Sequence, residues 1–437
     1  MNTLLQLCSN AALVSVVVLC VLCVKNVNVL LAIITSALVA GLISGLSVTH
    51  IMSTFISGMG ENSETALSYI LLGAFAATMA HSGFTDVISA KITRMVSGKK
   101  YVLLGVLVLM SMASQNIVPI HIAFIPIIIP PLIKIMNHLK IDRRAVACAL
   151  AFGLKMPYIA IPAGFGLIFQ NLIADNLVQN GVEIARDDIW RYAFILGLGM
   201  TVGLLIALFV SYRKPRTYKD TVVHTTKVSN DFLPKHWIVV LAAIATFTVQ
   251  LITKSLPLGA LIGLGIIFSC KVIPQNKMDH MMNEGIYLMG YIAFVMLVAA
   301  GFANVLKETG SIENLVKSVL PLLSTNLYIT AFAILLVGLF ITIGIGTSFG
   351  TVPILAVLFV PICMKMGFNT PQMVVLLTAA SALGDAGSPA SDTTLGPTAG
   401  LNIDGQHNHI FDTCIPTFLH YNTALIVFAL IGVWLLG

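Results

Sequence analysis

Charge is scarce in this chain: Lys, Arg, Asp and Glu make up 10% of 437 residues, whereas 57% are hydrophobic. Soluble domains carry about 25% charged residues, so a soluble fold is excluded. With a mean hydropathy of +0.95 the composition is that of a polytopic helical membrane protein. Long polar segments are also scarce. The one sizeable stretch, Tyr212 to Lys235, is too short to build a core of its own. No glycine-rich phosphate-binding loop is present, which argues against work driven directly by ATP. Tryptophan is limited to Trp190, Trp237 and Trp434, all at span ends, where amphipathic rings settle. The seven cysteines lie mostly in apolar runs, and Cys20 and Cys23 read as packing rather than as a metal or redox pair.

No basic residue precedes Lys25, and the first apolar run reaches Val24, longer than a signal-peptide core, so it is expected to be a retained span. Apolar windows predict ten crossings and two longer, interrupted regions at 101–137 and 327–366. Their centres, Ser111 to Pro119 and Gly344 to Pro353, are polar and helix-breaking, and they read as re-entrant hairpins with tips near the midplane. With both hairpins non-crossing, 17 basic residues fall inside and 6 outside, leaving Lys155 in the membrane. The net charge of +6 is therefore a topology signal, with no nucleic-acid partner implied. Both termini are expected outside and the linker 212–236 inside.

Within an apolar run, Gly384-Asp385-Ala386-Gly387-Ser388-Pro389-Ala390-Ser391-Asp392-Thr393-Thr394 places two carboxylates beside a proline and small residues. An acid at such depth costs about 2.5–3.5 kcal/mol on insertion scales and marks an ion pathway. The order of elements repeats. Residues 1–211 hold a hairpin and then a broken helix at 145–172, and residues 237–437 hold a hairpin and then a broken helix at 373–400. Val-Pro-Ile follows both tips, at Val118 and Val352. The fold class expected is all-α, with an inverted repeat of about five spans plus one hairpin in each half, the recurring plan of secondary transporters.

Ser114, Asn116, Thr347, Ser348 and Thr351 at the tips offer hard oxygen ligands, and Asn116, Ser348 and Asp385 are the Na⁺ candidates. Aligning the broken helices sets Lys155 near Asp385, either as a permanent pair or as a partner that alternates with substrate. Asp392 is read either as a cation ligand or as the cap of the second half-helix. Glu61 and Glu64 border a loop and read as solvated. His407, His409, Asp412 and His420 resemble a metal set but read as a packed internal gate or a loop anchor.

The run Gly384-Asp385, Ser388-Pro389, Ser391-Asp392-Thr393-Thr394 resembles the signature of the NhaC-type Na⁺/H⁺ antiporter family. Asp404 to Thr413 and the Ser114-Gln115-Asn116 hairpin look like its YuiF-like branch. The resemblance implies the ion transporter superfamily: a homodimer with a scaffold and a mobile domain built from both hairpins and both broken helices, and with Asp385, Ser388, Ser391 and Asp392 lining the path. The reading is a bacterial inner-membrane secondary transporter, not an enzyme, with elevator-like access and no cofactor beyond Na⁺ or H⁺ as coupling ion. The alternative is cation-coupled transport of an amino acid or small organic acid, since Lys155 suits a carboxylate; a channel or structural subunit is a further rival.

Overall fold

The computed structural model describes residues 9–25, 27–84, 87, 91, 98–116, 121–163, 165–219, 232–253, 255–312, 314–315 and 326–437. Among these the regular structure is all helical, with no strand. In chain order the helices are α1 (Ala11–Val24), α2 (Val29–Ile43), α3 (Val48–Met59), α4 (Ser63–His81), α5 (Lys100–Asn116) and α6 (His121–His138). Then come α7 (Arg143–Ala160), α8 (Phe165–Gln179), α9 (Ile189–Ile206), α10 (Pro234–Thr253), α11 (Leu256–Ser269) and α12 (Met278–Glu308). The chain ends with α13 (Leu327–Ile345), α14 (Ser348–Met366), α15 (Thr370–Ala382), α16 (Asp392–Leu401) and α17 (Thr423–Leu435). A π-helical turn, His409–Cys414, begins the apolar run that ends in α17.

Among the described residues five apolar runs reach membrane-crossing length, at 186–211, 289–308, 327–345, 348–366 and 409–435, and the pair α7 and α8, bent by 47°, makes a sixth if it is one span. Both arms of 327–366 are long enough to cross, so arm length alone does not mark this hairpin as re-entrant. Residues 117–120 of the first hairpin's tip fall outside the described residues. Where the sequence reads as a loop before Glu61, the structure has α3. Its Ile51, Phe55 and Gly58 recur at helical spacing and are buried, and α3 packs on α12.

The packing divides into two groups. Helices α1 to α4 and α10 to α12 pack mainly on one another, with α4 along α12. Both hairpins and both broken helices form the other group with α9 and α17. Within it the two halves share a contact. Ser111 Oγ of α5 donates to Leu150 O of α7 at 2.8 Å, and Thr342 Oγ1 of α13 donates to Ala380 O of α15 at 3.2 Å. Each ties the first arm of a hairpin to the first half of the following broken helix, where a buried hydroxyl would otherwise be unpaired.

Candidate ion-binding site

The helix α15 stops at Ala382 because Leu383 is extended and Gly384 takes a left-handed φ of 86°. A side chain at Gly384 would be strained, and its Cβ would sit 2.7 Å from Leu339 O. Gly387 is alike, with φ 106° and a prospective Cβ 2.8 Å from Phe418 Cα. Between these glycines the backbone turns out of the helix and presents Asp385. Asn422 clamps the turn from α17's end: its Oδ1 accepts from Gly384 N at 3.2 Å and its Nδ2 donates to Ala386 O at 2.8 Å. Further on, Ser391 N-caps α16 by accepting from Thr393 N at 3.1 Å. Asp392 is therefore the first helical residue, not the cap.

Asp385 is 4% exposed and Lys155 fully buried. Lys155 Nζ donates to Asp385 Oδ2 at 3.0 Å. The hydroxyls of Tyr158 and Ser348 each lie 3.0 Å from the same oxygen and 2.9 Å from one another. Thr393 Oγ1 donates to Oδ2 at 3.3 Å, and Ser391 Oγ donates to Oδ1. Tyr158 and Ser348 thus have two hydroxyl protons for three oxygen–oxygen contacts. A cavity of about 90 Å³ opens beside the carboxylate, lined by the polar residues Tyr158, Thr347, Ser348, Asp385, Asp392 and Thr393 and by Leu154, Phe165 and Phe349. It has room for several waters or a partly hydrated ion.

Residues 149–433 match the Na⁺/H⁺ antiporter family, and residues 10–96 match a second Na⁺-H⁺ antiporter family. The chain belongs to the Na⁺/H⁺ antiporter family. It is 44% identical to an uncharacterised membrane protein of Vibrio parahaemolyticus over 98% of this chain and 100% of that one. It is 42% identical to the putative amino acid transporter YuiF of Bacillus subtilis over 97% and 99% respectively. Among solved structures it is similar to the YdaH transporter of Alcanivorax borkumensis, with a TM-score of 0.46 and 13% identity over 89% and 88% of the two chains. The family is one of secondary transporters rather than enzymes, and this member is a multi-pass membrane protein.

In this antiporter-family chain the residues expected at the site separate. Lys155, Ser348, Asp385 and Ser391 meet, and Thr347 and Asp392 line the cavity. Ser388 instead donates to Ile343 O at 3.3 Å, and its carbonyl accepts from Thr394 at 2.6 Å, so it braces the turn. Thr351 Oγ1 donates to Ser348 O at 2.8 Å, and Ser114 Oγ to Ser111 O at 2.8 Å. The side chain of Asn116 lies outside the described residues. Tyr158, Thr393 and Asn422 join the site without having been expected there. Tyr158 is three residues past Lys155 and shares its face of α7, a spacing visible in the sequence.

The far end of α7 carries a polar cluster. Arg143 binds Asp404 through two hydrogen bonds and also reaches Leu401 O and Asn137. Tyr218 stacks 4.2 Å from the Arg143 guanidinium, and Arg216 pairs with Asp412 at 2.8 Å. Burial works to raise the Asp404 carboxyl, but hydrogen bonds and charge from Arg143 outweigh it and hold Asp404 below its ordinary value. The histidines anchor this region separately: His407 Nε2 meets Thr413 Oγ1, His409 Nε2 meets Pro389 O, and His420 Nε2 meets Ser211.

Proposed function

We propose that this protein is a Na⁺- or H⁺-coupled secondary active transporter of the Na⁺/H⁺ antiporter type, with the cation taken beside Asp385. The observation that carries this is Asp385, a carboxylate only 4% exposed within an apolar fold that also borders the cavity, with hydroxyl oxygens beside it. An acid so placed is suited to holding a cation or a proton in turn, so Na⁺ and H⁺ compete for it and are exchanged. Hydroxyl oxygens of Thr347, Ser348 and Thr393 and carboxylate oxygens of Asp385 and Asp392 line the cavity and suit Na⁺ as hard ligands. A proton or a cation would also relieve the contact that Tyr158 and Ser348 leave short of a hydrogen.

In this reading the group of hairpins and broken helices moves past the other group in an elevator-like way. The protein works as a homodimer in the bacterial inner membrane, with both termini outside and its halves related as inverted repeats. The division of packing and the paired Ser111–Leu150 and Thr342–Ala380 bonds support it.

A second reading, coupled transport of an amino acid, has its own support. Thr347, Ser348 and Phe349 at the start of α14 line the cavity and Thr347 makes no side-chain capping hydrogen bond, so this helix N-terminus offers amides that suit a carboxylate. The Bacillus subtilis relative also carries the name of a putative amino acid transporter. Proteoliposomes loaded with a pH dye distinguish the two. Antiport is expected to move H⁺ in response to an imposed Na⁺ gradient with no organic solute present. If H⁺ or Na⁺ moves only when an amino acid is added, the second reading replaces the first.

A further inference from the structure

A separate set of ligating side chains stands where α4 ends and α12 begins. His81 is the last residue of α4, and His280 and Glu284 lie one turn apart on the same face of α12. Their ligating atoms all fall within 4.8 Å of one another. His81 Nε2 is 2.9 Å from Glu284 Oε2, and the His81 and His280 rings meet edge to face with centroids 5.7 Å apart. The two helices touch backbone to backbone just beneath. A Cβ on Gly73 would sit 2.6 Å from Gly285 O, and one on Gly285 would sit 2.6 Å from Ala74 Cα. That contact fixes Glu284, the neighbour of Gly285, relative to α4. His81 and Glu284 are about one-third exposed, at 36% and 35%, so a solute can reach them.

We propose that His81, His280 and Glu284 bind a divalent transition-metal cation, Zn²⁺ in preference to Mg²⁺ or Ca²⁺. Two imidazoles and a carboxylate, with water in the fourth position, form a recognised three-ligand Zn²⁺ set. Bonds of about 2.0–2.1 Å in a tetrahedron place ligand atoms about 3.3 Å apart, and the cluster needs only rotamer adjustment to reach that spacing. Nitrogen donors select against the hard cations, which take oxygen ligands. The bound metal replaces the His81–Glu284 hydrogen bond and ties the end of α4 to the start of α12.

The test is calorimetric titration of purified full-length protein, its affinity tag removed, with Zn²⁺ and separately with Mg²⁺. One Zn²⁺ per chain is expected, with no Mg²⁺ heat. His280→Ala and Glu284→Gln should each weaken Zn²⁺ binding at least about tenfold, since even outer-shell partners cost about 10–100-fold. Both variants should keep the metal-free melting temperature of the wild type. His50→Ala, which breaks an exposed His–Glu pair away from the cluster, His50–Glu308, should leave Zn²⁺ binding unchanged. Absence of Zn²⁺ binding by the wild type, or binding that survives both cluster variants, overturns the proposal. If one variant fails to fold, the other decides.

Discussion

Arg143 and Asp404 meet fork to fork, Nη1 to Oδ1 at 2.6 Å and Nη2 to Oδ2 at 2.5 Å, with side chains 0% and 1% exposed. The pair joins the first residue of α7 to the loop that follows α16. Removing one partner leaves a buried charge uncompensated, which costs about 3–5 kcal/mol. Arg143→Met is therefore expected to lower stability by about that amount in detergent. Arg143→Met with Asp404→Leu should recover part of it, because neither charge then remains. A loss below about 1 kcal/mol for the single variant, the range of a surface pair, would show that the bridge is not buried in solution.

Asp385→Asn keeps the side-chain volume and most of the hydroxyl contacts but removes the charge on which cation exchange depends. The variant is expected to fold, since the amide oxygen can still accept from Ser391 and Ser348, but with a lowered melting temperature because the buried Lys155 loses its charge partner, and to lose Na⁺-driven H⁺ movement. Flux in proteoliposomes and melting temperature on the same preparation check both halves. Wild-type flux with unchanged Na⁺ dependence would remove Asp385 from the coupling role.

What could be read from the chain was whatever broke an apolar pattern. Lys155 and Asp385 stand out because a charge among buried residues needs a partner, and the repeat pairing brings them together as the structure does. Ser348 and Ser391 stand out because they sit at helix breaks. Tyr158 and Thr393 were missed because an aromatic or a threonine in an apolar run reads as packing until its hydroxyl is seen on a carboxylate. Asn422 acts through two backbone groups of a turn distant in sequence, which no local spacing announces. The assignment of Asp392 as a possible cap failed by one residue: Ser391 is extended, with φ −88° and ψ 145°, and so holds the capping position. The meeting of His81, His280 and Glu284 is not legible in the sequence because His81 and His280 come from opposite halves of the chain.

His407 is buried in the loop beside Arg143 and outside the apolar runs. Burial first, helped by the positive charge of Arg143 and Arg216 and opposed by Asp412, pushes it down from 6.5 to about 4. A depressed value means that the folded state resists protonation more than the unfolded state does. Its contribution to stability is then complete above pH 6.5 and declines as the pH falls from 6.5 through about 4. The melting temperature is expected to drop over that window, and His407→Gln, which can still bond Thr413, should make the drop shallower. Equal slopes for the two proteins would assign the acid sensitivity to other groups.

Lys155 separates the two readings of the site. Its ammonium reaches Asp385 at 3.0 Å, but Lys155 does not line the cavity as Asp385 and Asp392 do. It therefore stands behind the carboxylate as a partner rather than in front of it as a receptor for a solute carboxylate. Lys155→Met is expected to destabilise the protein by about 3–5 kcal/mol, the cost of orphaning a buried charge, while the affinity for any organic solute stays unchanged. Were Lys155 instead a direct solute ligand, the same substitution would weaken solute binding by about 1.5–3 kcal/mol, the value of a hydrogen bond to a charged group, and leave Na⁺ binding intact. Solute affinity and melting temperature measured on one preparation give opposite patterns in the two cases. A strong loss of solute affinity without a loss of stability would move the chain from the antiport reading to amino acid or organic acid transport.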